Sequence, residues 1–200
     1  MARATWFCID IECSGPVPSL YDMLSIGVTV VAHGPDGVPV VLPDGLYLEI
    51  RPTAPRVDAG AMRVNRLDLA RLKEEGLPMR QALERLSAFV ALHRRDTSEA
   101  VFVGHNAPFD WSFVSHAYHA EGLRNPFGYK ALDTKALAMG VLGVHWLDTS
   151  KEMLERLLAL PPLDAALVHR ADYDARYQAD ILTALLRRMP GAGDHPRPAR

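Results

Sequence analysis

Residues 5–12 read Thr5-Trp-Phe-Cys-Ile-Asp-Ile-Glu12, and the alternation in this run decides the fold. Phe7, Ile9 and Ile11 take one side, while Trp6, Cys8, Asp10 and Glu12 take the other, the period of two expected of a β-strand with one apolar face. Because strand side chains alternate, Asp10 and Glu12 project from the same face about 6–7 Å apart. Two neighbouring carboxylates repel each other. They are retained either where a hard cation such as Mg²⁺ or Mn²⁺ bridges them, or at a sheet edge where water screens both.

Working outward, a Gly- and Pro-rich loop (residues 14–19) leads to a second strand in which Leu24, Ile26, Val28 and Val30 alternate with Ser25, Gly27 and Thr29. The Gly34 to Gly37 turn then predicts a meander into a third strand around Leu46–Ile50. From Met79 the period becomes helical, with Met79, Ala82, Leu83, Leu86, Phe89 and Val90 on one stripe. A short buried strand, Ala100–Val103, follows. Asn106 is expected to cap a helix with Pro108 in its first turn and a body running Phe109–Ala120. A strand near Tyr129–Leu132 leads to a helix from Thr134, and further helices are predicted at about 150–159 and 172–189.

The order β-β-β-α-β-α-β-α-α-α predicts an α/β fold. Three antiparallel strands come first, and later strands joined through helices lie parallel to the first, giving a mixed sheet of five strands flanked by helices. Residues 1–189 read as a single domain. Residues 190–200 lack apolar periodicity and are expected to form a disordered Pro/Gly-rich tail, with no tethering domain beyond residue 189.

The chain has 200 residues, 48% hydrophobic and 23% charged, long enough to bury a core without disulfides or structural metal. Its two cysteines, Cys8 and Cys13, lie five residues apart with no second pair, which argues against a disulfide framework or zinc ribbon and fits a reducing, cytoplasmic compartment. No signal peptide or membrane-length apolar run is apparent. With 22 basic and 24 acidic residues the formal net charge is −2, so any grip on phosphate must be local. A Gly-rich phosphate loop ending in Lys and Ser or Thr is also missing, which excludes the usual ATP-driven classes.

Two more clusters carry chemistry. In Gly104-His-Asn-Ala-Pro-Phe-Asp110 a buried strand ends and a helix begins, placing Asp110 in the first turn, where the helix dipole favours an anion. In the last helix, Asp174, Gln178, Ile181 and Leu185 follow helical spacing, so Asp174 falls on the stripe facing the sheet and needs a partner or a metal. Asp172 fits a helix cap instead, and Asp133 a strand-to-helix junction. Tyr21, Phe109, Trp111 and Phe113 lie near these clusters, as core or as stacking partners for bases.

Together the three clusters resemble the DEDDh exonucleases, which include ribonuclease T, oligoribonuclease and proofreading epsilon subunits. The first family motif, Asp-x-Glu, matches Asp10-Ile-Glu12. The second, His-Asn-x-x-Phe-Asp, matches His105 to Asp110, and the third matches His169, Asp174 and Ala175. In register, they span about residues 5–187.

The resemblance implies a ribonuclease H-like fold with strand order 3-2-1-4-5. It also implies a 3′-5′ exonuclease that releases nucleoside 5′-monophosphates from single-stranded DNA or RNA 3′ ends. Asp10, Glu12, Asp110 and Asp174 would hold two divalent ions, Mg²⁺ or Mn²⁺, with Asp10 bridging them. His169 would be the general base, since an imidazole accepts a proton near neutral pH. His105 stays outside the catalytic set. Family members usually carry Thr after the first-motif Glu, whereas this chain has Cys13 and Ser14. In relatives that position borders the terminal nucleotide, so the resemblance assigns Cys13 and Ser14, with Asn106 and Phe109, to substrate contact. Alternatives are an exoribonuclease specialised for RNA or short oligomers, and a non-catalytic module binding nucleic acid or a partner. Homodimerisation stays open; membrane and polymerase association are not indicated.

Overall fold

A computed structural model describes residues 4–94 and 98–189, so the expected tail at 190–200 lies outside the described residues. The opening run forms β1 (Ala4–Cys13), paired antiparallel with β2 (Met23–His33), which pairs antiparallel with β3 (Pro39–Glu49). On the other side of β1 lies β4 (Glu99–Gly104), parallel to it, and then β5 (Ala131–Asp133), parallel to β4. The sheet order is β3-β2-β1-β4-β5, as predicted, and it puts Asp10 and Glu12 on the central strand rather than at an edge.

One face of the sheet carries α3 (Met79–His93) and α4 (Ala107–Ala120), whose Leu83, Leu86, Phe113 and Val114 pack with Phe7, Ile9 and Ile11. The opposite face carries α7 (Ala171–Arg188), where Ala179 and Leu182 join Cys8, Val31 and Val103 in a second apolar layer. Outside α7 lie α5 (Thr134–Leu142) and α6 (Lys151–Leu158), packed through Ala138, Leu154, Leu158, Tyr177 and Ile181. Among the described residues no helix is long and apolar enough to cross a membrane.

Several elements differ from the sequence reading. β3 begins at Pro39, seven residues before the expected Leu46, because the turn closed by the Gly34 N–H on the Val38 carbonyl lets pairing start at once. Two short helices, α1 (Ala59–Asn65) and α2 (Leu69–Glu75), occupy a stretch left unassigned. Each has seven residues, too few to show a periodic stripe, but each is capped: Asp58 accepts from the Ala61 N–H, and Asp68 from those of Ala70 and Arg71. Asn106 does not cap α4 with its side chain; it takes a left-handed conformation (φ 69°, ψ 48°), a region in which Asn is enriched. Nor is Asp172 a cap. Arg170 holds that position, and Asp172 sits inside the first turn of α7, ion-paired with the Arg170 guanidinium at 2.9 Å.

Candidate active site

The site forms where β1 outruns its parallel neighbour. Pairing with β4 ends at Cys8↔Val103, so among the described residues no strand pairs with the edge of β1 beyond Cys8 on that side. Asp110, in the first turn of α4, fills part of the gap: its Oδ1 accepts the Ile11 N–H at 3.1 Å. This contact brings Asp110 beside the backbone between Asp10 and Glu12, although α4 packs against the opposite face of the sheet.

From the other side, the first turn of α7 descends onto β2 opposite Asp10, where the strand carries Gly27. A Cβ at that position would lie 2.1 Å from the Ala171 carbonyl oxygen and 2.4 Å from the Asp172 nitrogen, so only glycine lets the helix approach this closely. A lone glycine inside a strand was a readable signal of such an approach, and the alternation pattern masked it.

Ahead of α7, His169 adopts a left-handed backbone (φ 68°) that turns its N–H onto Asp174 Oδ2 at 2.7 Å. The His169 side chain itself is exposed. Ligand atoms of Glu12, His169 and Asp174 all lie within 4.8 Å of one another. Such conformations at non-glycine residues cost about 1–3 kcal/mol each, and two of them, Asn106 and His169, flank this site.

Two further residues, which the motifs did not single out, complete the cluster. Gln178, one turn beyond Asp174 and fully buried, donates its Nε2 to Asp10 Oδ1 at 2.7 Å. Lys151, the first residue of α6, places Nζ 2.5 Å from Asp174 Oδ1 and 3.6 Å from Asp10 Oδ1. A sequence signal existed for the lysine, since a cation in a first helical turn opposes the helix dipole and calls for an anionic partner.

Burial and mutual repulsion raise the affinity of Asp10, Glu12 and Asp110 for protons. Asp10 is pushed up to about 7, by burial first and with Asp174 adding to it, against the pull of Lys151. Glu12 rises to about 9, through burial and then the charges of Asp10 and Asp174. Asp110 also moves well upward, by burial and then Asp10. Burial alone would lower the Lys151 ammonium, but Asp10 and Asp174 outweigh it and hold it above its usual value. The donor set of four carboxylates and one imidazole is oxygen-rich and over-supplied with negative charge, which suits hard divalent cations.

Neighbouring residues hold the frame. His105 Nδ1 lies 2.9 Å from Thr134 Oγ1, and burial, followed by the charges of Lys151 and Lys135, lowers its imidazole to about 3. It is therefore a neutral tie between the start of α4 and that of α5. Asp133 is structural, as expected, its Oδ1 accepting from the Asn106 and Lys135 N–H groups.

Of the four residues assigned to substrate contact, Phe109 is half-buried beside Phe113, and Asn106 is exposed. Ser14 is 1% exposed, with its Oγ accepting the Asp22 N–H at 2.9 Å, so this hydroxyl closes the 14–22 loop. Cys13 is buried as well, its carbonyl accepting from Asn65 Nδ2 at the end of α1. Phe113 belongs to the core, and Trp111 meets Phe102 edge to face at 5.1 Å.

Comparison with known proteins gives the same picture. The chain is 33% identical over 173 residues to the 3′-5′ DNA exonuclease Cap18 of Escherichia coli, covering 86% of this chain and 87% of the relative. It is 30% identical over 197 residues to ribonuclease T of Yersinia enterocolitica, covering 96% and 88%. No protein-family model matches the sequence. Among solved structures, the nuclease domain of 3′hExo, described as a DEDDh family member bound to rAMP, superimposes with a TM-score of 0.72 at 12% identity, over 92% of this chain and 91% of that one. Escherichia coli exonuclease I, solved with a dT13 oligonucleotide, superimposes with a TM-score of 0.68 at 14% identity, over 92% of this chain and 41% of that one.

Proposed function

Because this chain belongs to the DEDDh-type 3′-5′ exonucleases, we propose that it removes nucleoside 5′-monophosphates one at a time from the 3′ end of single-stranded DNA or RNA. The observation that carries this reading is the convergence of Asp10, Glu12, Asp110, Asp174 and His169 at the open end of β1. In this reading Asp10, Glu12, Asp110 and Asp174 hold two divalent ions, Mg²⁺ or Mn²⁺. Cations held there supply Lewis-acid stabilisation of the charge that builds on the phosphate oxygens.

The protein's own groups do the rest. The His169 imidazole, exposed at the rim and beside Glu12 and Asp174, takes a proton from the attacking water. The water oxygen bonds to phosphorus as the bond from phosphorus to the 3′ oxygen breaks, and the shortened strand leaves as a 3′ oxyanion that takes its proton from solvent water. The left-handed turn at His169 links base and ligand, since the same residue that presents the imidazole fixes Asp174 through its N–H. Phe109, Asn106 and the Cys13 end of β1 border the place of the terminal nucleotide.

The test is a ladder assay on 5′-labelled single-stranded DNA and RNA of matched sequence, with the released product identified by chromatography. One-nucleotide shortening to 5′-monophosphates, abolished by chelator and restored by Mg²⁺ or Mn²⁺, is the expected result. Full activity in excess chelator, or 3′-monophosphate products, would overturn the mechanism. His169→Ala should lower the rate by about 10²- to 10⁴-fold with metal binding retained.

A further inference from the structure

Four carboxylate oxygens in the site already have donors: the Ile11 N–H holds Asp110 Oδ1, and the other three are met from three different segments. Gln178 occupies Asp10 Oδ1, the His169 N–H occupies Asp174 Oδ2, and the Lys151 ammonium lies on Asp174 Oδ1 while reaching towards Asp10 Oδ1. Among the described residues no hydrogen-bond donor reaches the Glu12 carboxylate. The two acids tied to the lysine are therefore the pair that belongs both to the strand and to α7. A divalent ion entering the site draws on the same pair.

Lys151 is not a surface lysine that fell onto an acid. Its side chain is 18% exposed, and its backbone position is fixed on both sides. Ser150 caps α6 by accepting the Met153 N–H, and the fully buried Thr149 bonds back to the Trp146 carbonyl. Three residues on, Leu154 anchors the helix in the apolar layer against α7. The ammonium is thus delivered to the acids by a rigid helix start, at the end of the helix where the dipole disfavours a cation.

We propose that Lys151 is a built-in monovalent cation of this site. It holds Asp10 and Asp174 together when no metal is present, and it competes with divalent ions for them, so that it weakens metal affinity rather than supporting it. It is a positioning residue and has no part in bond making. The proposal rests on the exonuclease reading for its ligand, a divalent cation, but its consequence is measurable without any nucleic acid.

The experiment is calorimetric titration of chelator-treated protein with Mn²⁺ and with Mg²⁺, for the wild type, Lys151→Met, Lys151→Gln and Lys151→Arg. Thermal denaturation with and without metal is run alongside. Both neutral variants should bind metal more tightly, on the order of tenfold or more, the least expected when one unit charge is lost beside a divalent ion. They should melt lower than the wild type in chelator and gain more from added Mg²⁺, while Lys151→Arg should keep wild-type affinity. A lysine with a merely structural role would not tighten binding when removed. Neutral variants that fold, by circular dichroism, yet bind no tighter than the wild type overturn the proposal alone. If Lys151→Met unfolds the metal-free protein, Lys151→Gln decides. A wild type that binds neither ion overturns the exonuclease reading and this proposal with it.

Discussion

β1 and α7 meet along their whole length, yet the two halves of that contact have opposite character. At one end Trp6 and Cys8 of the strand pack against Ala179, Leu182 and Leu186 of the helix, an apolar seam of the ordinary kind. At the other, Asp10 and Glu12 face Asp174 and Gln178, with Lys151 between them. The apolar half gains stability from burial, roughly 25 cal/mol per Å² removed from water. The acidic half works against stability, because burial and repulsion raise Asp10 and Glu12 far above their ordinary range. One pair of elements therefore anchors the fold at one end and holds a strained site at the other, and substitutions in the two halves should separate stability from activity.

The largest separation is expected at Asp10→Asn. Removing this proposed metal ligand should cut exonuclease activity by more than about a thousandfold, since the charge stabilisation supplied at such a site is worth several kcal/mol. The same change relieves repulsion, so in chelator the variant should melt no lower than the wild type. A variant that loses activity only because it unfolds would break the contrast. Rates on a labelled oligonucleotide and melting curves on the same preparations decide the matter.

Leu182→Ala probes the other half. Leu182 is fully buried against Cys8, Val31 and Val103, and truncation should cost about 2–5 kcal/mol, seen as a melting point lowered by roughly 5–15 °C. The rate per folded molecule, measured well below the melting point, should stay within about twofold of the wild type. A thousandfold loss there would show that the two halves are one cooperative unit.

How much of this contrast was legible in the sequence follows from the same division. The apolar half is legible only by its complement: the alternation that sends Phe7, Ile9 and Ile11 into the core under α3 and α4 leaves Trp6 and Cys8 on the α7 face, whereas Ile181 and Leu185 turn away from the sheet, towards α5 and α6. The acids of the other half are visible as departures from that period, Asp174 most clearly, since it sits on an apolar stripe. Lys151 and Gly27 were not visible in this way. The lysine comes from a helix packed on the far side of α7, and its meeting with Asp174 is a product of tertiary packing. The glycine matters only because a helix start rests on it. Likewise α1 and α2 are too short for a period, and they declare themselves only through the capping acids Asp58 and Asp68.

Gly27 lies at the hinge of the comparison, opposite Asp10 and beneath the first turn of α7. Gly27→Ala forces that turn outward, because the new methyl group meets backbone atoms of Ala171 and Asp172 that cannot rotate away. The displacement falls on the His169 to Asp174 segment and leaves the Leu182 seam in place. Activity should drop about 10²-fold, the scale on which a misplacement of about 1 Å is felt, and the melting point should move by only a few degrees. A variant with full activity would mean that the close approach has no bearing on the site.

The last contrast separates the halves by pH. Asp10 and Glu12 titrate in the folded protein near 7 and 9, against ordinary values of 3.8 and 4.5. Below about pH 3 both groups are protonated whether the chain is folded or not, and the repulsion is absent. Between about 4 and 9 the folded protein holds protons that the unfolded chain has released, so stability falls as pH rises through this window, and above 9 the loss is complete. In chelator the melting point should therefore decline as the pH is raised from about 5.5 to 9. Saturating Mg²⁺ should flatten the decline, because binding a cation takes over the role of the lost protons. Asp10→Asn should show a shallower slope than the wild type, whereas Leu182→Ala should melt lower at every pH with the wild-type slope. Parallel curves for all three proteins would place the pH dependence outside the acidic half, and with it the claim that this end of the β1–α7 contact is held against its own charge.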